Sequence, residues 1–255
     1  ARALGRGGEA RLLRGRVHAL TAEAHERQRQ YPQALTEAQK ALDEWPQLSA
    51  ARVVRATALQ QSGRVREAEE ELERLLQGDP RNPAARLQLG YCQLCAGRAR
   101  AAEESLERVV RNGRATRSAL GAAKVYLAIA VDLQAPGAGG GSQHRAESIV
   151  KEGLSAHRNL QQVWKDIDGG GAASGQSAEV QRLRGICDLD LTAAQAKQLL
   201  RLLARATGRT DLASTPAAST CGSRAYSDAP PTPNRWAPPM GGLGLGGGWS
   251  RSGAS

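Results

Sequence analysis

Residues 49–82 read SAARVVRATALQQSGRVREAEEELERLLQGDPRN, and residues 83–116 read PAARLQLGYCQLCAGRARAAEESLERVVRNGRAT. The same residue types recur 34 positions apart at four pairs of sites: Pro46 and Pro80, Gly63 and Gly97, Ala68 and Ala102, Leu72 and Leu106. A fixed period of this length is typical of small units that bury their apolar faces only by stacking on neighbours. The sequence therefore predicts a stack of helical units, an architecture that favours binding over catalysis.

Apolar side chains recur at helical spacing through most of the chain, and this pattern predicts consecutive helices. The predicted helices cover residues 9–20, 31–44, 50–61, 65–77, 84–96, 100–111, 116–133, 143–156, 160–167, 178–187 and 192–206. Thr192 is a good N-cap for the last helix, and Gly208 is a good C-terminal stop. These signals predict an all-α fold, a right-handed helical-repeat solenoid of antiparallel helix pairs.

Composition divides the chain into three parts. Residues 1–8 are expected to be a linker, and residues 9–208 a helical repeat domain. Within that domain the predicted segments are four repeats at about 9–48, 49–82, 83–116 and 117–158, the fourth degenerate, and C-terminal helices at 159–208. Residues 209–255 are rich in Pro, Gly and Ser and lack periodicity, so they are predicted to be a disordered tail. Because the chain begins without Met, we expect it to be a fragment.

The composition argues against several classes of protein. A net charge of +10 comes with only 3% aromatic residues, so the bases of a nucleic acid have few rings on which to stack. Four Cys residues are too few for a disulfide framework in 255 residues, and they fit a reducing compartment. No apolar stretch reaches 18 residues, so we expect no membrane span. We expect an intracellular protein, in the cytoplasm.

The repeated pattern resembles the tetratricopeptide repeat, a family built from 34-residue helix–turn–helix units. The matching residues in the two middle units are Ala56, Gly63, Ala68, Leu72 and Pro80, then Leu89, Gly90, Gly97, Ala102 and Leu106. In the first unit, the second helix matches the family pattern. The first helix matches only if Gly15 takes the family's glycine position within that helix, which implies about seven extra residues before Tyr31. The fourth unit needs a ten-residue insertion before Ala146. Arg11, Arg52 and Arg86 stand where the family has a bulky aromatic.

The resemblance also implies a binding surface on the first helices of the units. We call it the groove and assign to it seven residues of this chain: Val53, Thr57, Gln60, Leu87, Tyr91, Leu94 and Cys95. It lacks the Lys, Asn and Arg that clamp carboxylates in chaperone-binding members of the family. Its apolar character suits an amphipathic helix or an extended apolar peptide, with Tyr91 as the main anchor. The alternative is that these side chains pack against neighbouring helices or a missing part of the chain.

The sequence contains no recognisable motif for catalysis, metal binding or cofactor binding. Cys92 and Cys95 form a CxxC, but zinc needs four ligands and no second pair exists. The glutamates of residues 67–73 are expected to form a solvated helix face. We therefore expect a protein-interaction scaffold that is not an enzyme and has no cofactor. The alternative is an RNA- or acidic-surface-associated protein that uses its Arg-rich ends, which include Arg11, Arg16, Arg182 and Arg184.

Overall fold

The computed structural model describes residues 6–134, 141–169, 176–186 and 189–209. This part of the chain holds eleven helices and no strand. They are α1 (Arg6–Arg27), α2 (Tyr31–Glu44), α3 (Ser49–Gln61), α4 (Val65–Gly78), α5 (Pro83–Cys95), α6 (Ala99–Arg111), α7 (Arg117–Gln134), α8 (Gly141–Ala156), α9 (Arg158–Gly169), α10 (Gln176–Arg184) and α11 (Ala193–Thr207). The all-α helical-repeat fold is confirmed. The predicted tail, apart from its first residue, lies outside the described residues.

The first unit differs from the prediction in its helix bounds and in its repeat register. Helix α1 begins at Arg6, inside the predicted linker, and continues seven residues beyond the predicted end at residue 20. Counting back 34 residues from Gly63 gives Arg29, which has a left-handed φ of 60°, as Gly63 has at 85°. Ala22, which lies 34 residues before Ala56, is fully buried as Ala56 is. The unit therefore needs no insertion and Gly15 is not its repeat glycine. An Arg at the turn hid the register, because a Cβ makes this conformation costly.

Small side chains allow the two helices of each unit to approach closely. Ala68 and Ala102 are fully buried at equivalent positions of α4 and α6. At Gly90 on α5, an added Cβ would lie 2.7 Å from Leu106 Cγ on α6. Such a distance leaves no room for any side chain, so the helix pair packs through glycine and alanine instead of through aromatic rings.

The arginines that replace the family's aromatic residue join one unit to the next. Arg52 Nη2 donates to the backbone oxygen of Pro46 at 2.8 Å, and Arg86 Nη2 donates to that of Pro80 at 2.7 Å. Both contacts link an arginine to the carbonyl of the proline six residues before it, in the preceding unit. The joint between units therefore repeats with the same 34-residue period as the sequence.

One member of the glutamate run is not solvated as expected. Glu71 is buried, and its Oε2 lies 2.5 Å from Arg55 Nη2 on α3. A buried carboxylate requires such a partner, because desolvation of an unpaired charge is costly. Glu67, Glu70 and Glu73 are exposed as predicted.

The C-terminal helices pack back onto the repeats. Helix α11 lies against α7, α8 and α10, and α9 contacts α8 and α10. Its N-terminus has the predicted cap, a reciprocal pair of hydrogen bonds between Thr192 and Gln195, and it ends at Gly208 with φ 83°. Residues from α5 to α11 share one large apolar cluster, whereas α3, α4 and α5 enclose a smaller one. None of the described helices is long and apolar enough to cross a membrane.

Candidate functional site

The groove residues of two successive units lie side by side. Helix α3 carries Val53, Thr57 and Gln60, and helix α5 carries Leu87, Tyr91, Leu94 and Cys95. Gln60 Nε2 donates to Cys95 Sγ at 3.6 Å, and Gln88 Nε2 donates to Gln60 Oε1 at 2.8 Å. The structure therefore brings the two helix faces together as the resemblance implied. That these residues bind a partner stays a prediction.

Most of the groove is covered by other parts of the same chain. Val53, Leu87 and Cys95 are half-buried, whereas the other four groove residues are buried. Tyr91 is only 4% exposed, because its ring stacks on Tyr126 of α7 with the centroids 4.9 Å apart. Tyr91 is therefore not exposed in this structure, and its role as the main anchor of a partner stays a prediction. The alternative, in which groove side chains pack against neighbouring helices, holds for Tyr91.

The rest of the cover comes from the short stretch before α11, residues 189–192, which we call the docked segment. Leu189 is 1% exposed and Leu191 is also buried, in the apolar cluster that contains Tyr91 and Leu94. The backbone N–H of Asp190 donates to Tyr126 Oη at 3.0 Å. Just beyond the segment, Gln195 Nε2 contacts Cys95 Sγ at 3.7 Å. The segment thus lies against the groove faces of α5 and α7.

The carboxylate of Asp190 also faces the first two units. Gln61 of α3 is hydrogen-bonded to it, and the positive charge of Arg29 acts on it. Burial raises the pKa of Asp190, and Arg29 and Gln61 partly oppose that shift. On α1, burial is the main cause that raises the pKa of Glu26 to about 7, and the Asp190 carboxylate adds to it. Asp190 therefore interacts with residues from all four units.

Both ends of the docked segment are held by polar contacts. Arg184 Nε donates to the carbonyl oxygen of Leu191 at 3.2 Å. On the other side, Asp132 of α7 anchors α11 by accepting from Gln198 at 2.9 Å and from Arg205 at 2.6 Å. These contacts position the segment without adding backbone pairing to the groove.

Several residues of this site were not predicted from the sequence. Tyr126 lies 35 residues after Tyr91, one residue out of step with the repeat, so the period did not single it out. Asp190 belongs to a stretch without periodicity. Glu26 and Arg29 lie in the part of the first unit whose register was misassigned. The sequence signal that could have found the segment is its pattern of Leu, Asp and Leu before a strong N-cap.

The cysteines of the groove are not arranged for chemistry. Burial raises the pKa of both Cys92 and Cys95, so their thiols are kept in the neutral, unreactive form. Among the residues that the structure describes, no group of three or more His, Cys, Asp or Glu could hold a metal ion. Cys187 and Cys221 lie outside the described residues.

A second surface concentrates positive charge. A cavity of about 400 Å³ lies between the α4–α5 and α6–α7 connections. Its lining includes five arginines and no acidic residue: Arg81, Arg86, Arg108, Arg111 and Arg114. We call this surface the arginine cluster. The Arg-rich ends are partly engaged elsewhere, since Arg11 Nε lies 3.6 Å from Glu44 Oε2 and Arg184 contacts the docked segment.

Comparison with known proteins agrees with this architecture. A model of the tetratricopeptide repeat matches residues 26–77 and 67–125. No curated protein matches the chain. PilF of Pseudomonas aeruginosa is similar in structure, with a TM-score of 0.53 and 17% sequence identity over 80% of this chain and 89% of PilF. PilW, a type IV pilus biogenesis factor, has a TM-score of 0.51 and 19% identity over 78% of this chain and 88% of its own. At these sequence identities, the structural similarity shows the fold alone.

Proposed function

Because a model of the tetratricopeptide repeat matches residues 26–77 and 67–125, we propose that this protein is a non-catalytic adaptor that binds a peptide or short helix in the groove. The repeats give the chain the general architecture of a protein-interaction module. The observation that supports the groove in particular is the contact between the α3 and α5 faces, where Gln60 meets Cys95. It aligns apolar side chains of two units along one surface.

The accessible part of the groove gives a direct test. Val53→Asp with Leu87→Asp places two charges on half-buried groove positions. We expect this double variant of the full chain to lose the proteins that the wild type retains in a cross-linked pull-down, because a charge opposes burial against an apolar ligand. The control is Leu133→Asp, which adds the same charge at an exposed site on α7.

The outcome is read by comparing the three proteins. Loss of the same partner from the groove variant, with retention by the control, supports the proposal. If the groove variant retains every partner of the wild type while its circular dichroism spectrum is unchanged, the groove is not the binding site.

A second candidate function rests on the arginine cluster, which suits an acidic protein surface. Arg108 raises the local positive potential enough to help lower the pKa of Arg86, after the larger effect of burial. Binding through such a surface depends steeply on salt, whereas binding in an apolar groove does not. Charge reversal at Arg81, Arg108 and Arg114, with Arg16→Glu as the exposed control, separates the two candidates. Loss of binding only in the triple variant, together with loss at high salt, favours the cluster.

A further inference from the structure

The docked segment occupies the groove in the manner of a bound peptide. Its two leucines enter the apolar cluster formed with Tyr91 and Leu94. Between them, Asp190 presents its backbone N–H to Tyr126 Oη and its carboxylate to Gln61. Contacts from α3, α5 and α7 therefore converge on a stretch that is not itself helical.

The chemistry of these contacts defines what the groove accepts. Two buried leucines, Leu189 and Leu191, lie on either side of an acidic residue. The acidic side chain is met by the amide of Gln61 and by the charge of Arg29. Alternate side chains of an extended segment point in opposite directions, which separates the two apolar contacts from the polar one. The groove therefore matches a pattern of apolar, acidic and apolar residues.

The segment makes few described polar contacts with the groove helices themselves. Its described polar attachment to the groove faces of α5 and α7 is one hydrogen bond, between Asp190 and Tyr126, with no backbone-to-backbone pairing. The negative charges of Glu26 and Asp190 act on each other, and this repulsion opposes docking when both are ionised. An exogenous peptide of the same pattern can make the same contacts.

We propose that residues 189–192 act as an intramolecular ligand of the groove, and that a partner displaces them with an extended segment in which an acidic residue lies between two large apolar residues. This inference rests on the proposed function, because it names the chemistry of the partner that the groove binds. It also explains why the groove residue best suited as an anchor, Tyr91, is buried in the free chain.

The test uses a fluorescein-labelled peptide of residues 185–192, GICDLDLT, with its Cys replaced by Ser. The full chain is compared with Leu189→Ala/Leu191→Ala, which weakens docking, and with Leu160→Ala, which removes an equally buried leucine from α9. By fluorescence anisotropy, we expect the docking variant to bind the peptide at least tenfold more tightly than the wild type. The Leu160 control should match the wild type.

A further pair of measurements ties binding to the groove. Adding Gln61→Ala to the docking variant should weaken peptide binding, since it removes the amide that meets the acidic side chain. A peptide in which the acidic residue equivalent to Asp190 is replaced by Lys should bind more weakly for the same reason. If the docking variant binds no better than the Leu160 control, or if Gln61→Ala has no effect, the inference is wrong.

Hydrogen exchange of the wild type covers the case in which the docking variant does not fold. Backbone amides of residues 189–191 should exchange faster than those of α7, and faster still after the peptide of residues 185–192 is added, because the peptide displaces the segment. If they exchange as slowly as α7, the segment is a permanent part of the core and the inference fails. The proposed function does not depend on that outcome. It is still supported if the Val53→Asp/Leu87→Asp variant of the full chain loses its partner.

Discussion

The two middle units and the C-terminal region are stabilised in different ways. The cluster of α3, α4 and α5 consists of Ala, Leu and Cys residues that come from adjacent helices of a repeated sequence. The C-terminal cluster adds tyrosine and tryptophan, and its polar contacts join residues 64 and 100 positions apart. Units that contact only their neighbours can be identified from the period of the sequence, whereas a region closed by distant contacts cannot.

The largest effect is expected where the C-terminal cluster loses volume. Leu199 of α11 is fully buried, so Leu199→Ala should lower the free energy of unfolding by about 2–5 kcal/mol. Leu20→Ala on α1, at a site that is 65% exposed, is the control and should change it little. Urea denaturation followed by circular dichroism measures both. Equal effects for the two variants would contradict the boundary of the cluster.

A smaller loss of stability is expected in the middle units, where a larger side chain would overpack the contact between helices. Ala68 is fully buried at the closest approach of two helices, so Ala68→Leu should cost about 1–3 kcal/mol of stability. Ala50→Leu, on an exposed position of α3, is the matched control. A melting temperature of Ala68→Leu equal to that of the control would show that the register of the repeats is misassigned.

The contact between the two regions at Tyr126 is expected to contribute less. Tyr126→Phe keeps the ring that stacks on Tyr91 but leaves the Asp190 N–H without its acceptor. We expect a loss of about 1 kcal/mol and faster hydrogen exchange at residues 189–191. Unchanged exchange in that stretch would mean that the hydroxyl does not hold the docked segment.

The smallest expected effect is a pH dependence that joins the first unit to the docked segment. The charged groups that act on Glu26 are Glu23 and Arg27 on α1 and Asp190 of the docked segment, and Arg29 acts in turn on Asp190. Because the pKa of Glu26 is raised to about 7, its contribution to stability is complete below its ordinary value of 4.5 and is lost as the pH rises through 7.

Thermal melts between pH 5.5 and 8 measure this dependence. The wild type should lose stability over that range relative to Glu26→Gln, whose amide does not ionise. Glu23→Gln is the control and should follow the wild type. Parallel curves for the wild type and Glu26→Gln would show that Glu26 does not titrate in this range.

The sequence was sufficient for the regular part of the molecule. The middle helix pairs, the Thr192 cap and the Gly208 stop were all predicted, because each depends on residues a few positions apart. The turn at Arg29 was missed, since a non-glycine residue adopts the left-handed conformation there. The cover over Tyr91 was missed for another reason: it comes from Tyr126, 35 positions later, and from the docked segment about 100 positions later, and neither follows the 34-residue period.

The contacts of Arg52 with Pro46 and of Arg86 with Pro80 make the middle repeat a transferable module. Residues 49–82 carry Arg52, which contacts the unit before, and Pro80, which receives the arginine of the next unit. A duplicate of residues 49–82 inserted after Asn82 would therefore bring both halves of the joint with it. The array can in this way grow by whole repeats without any new pairing having to arise between them.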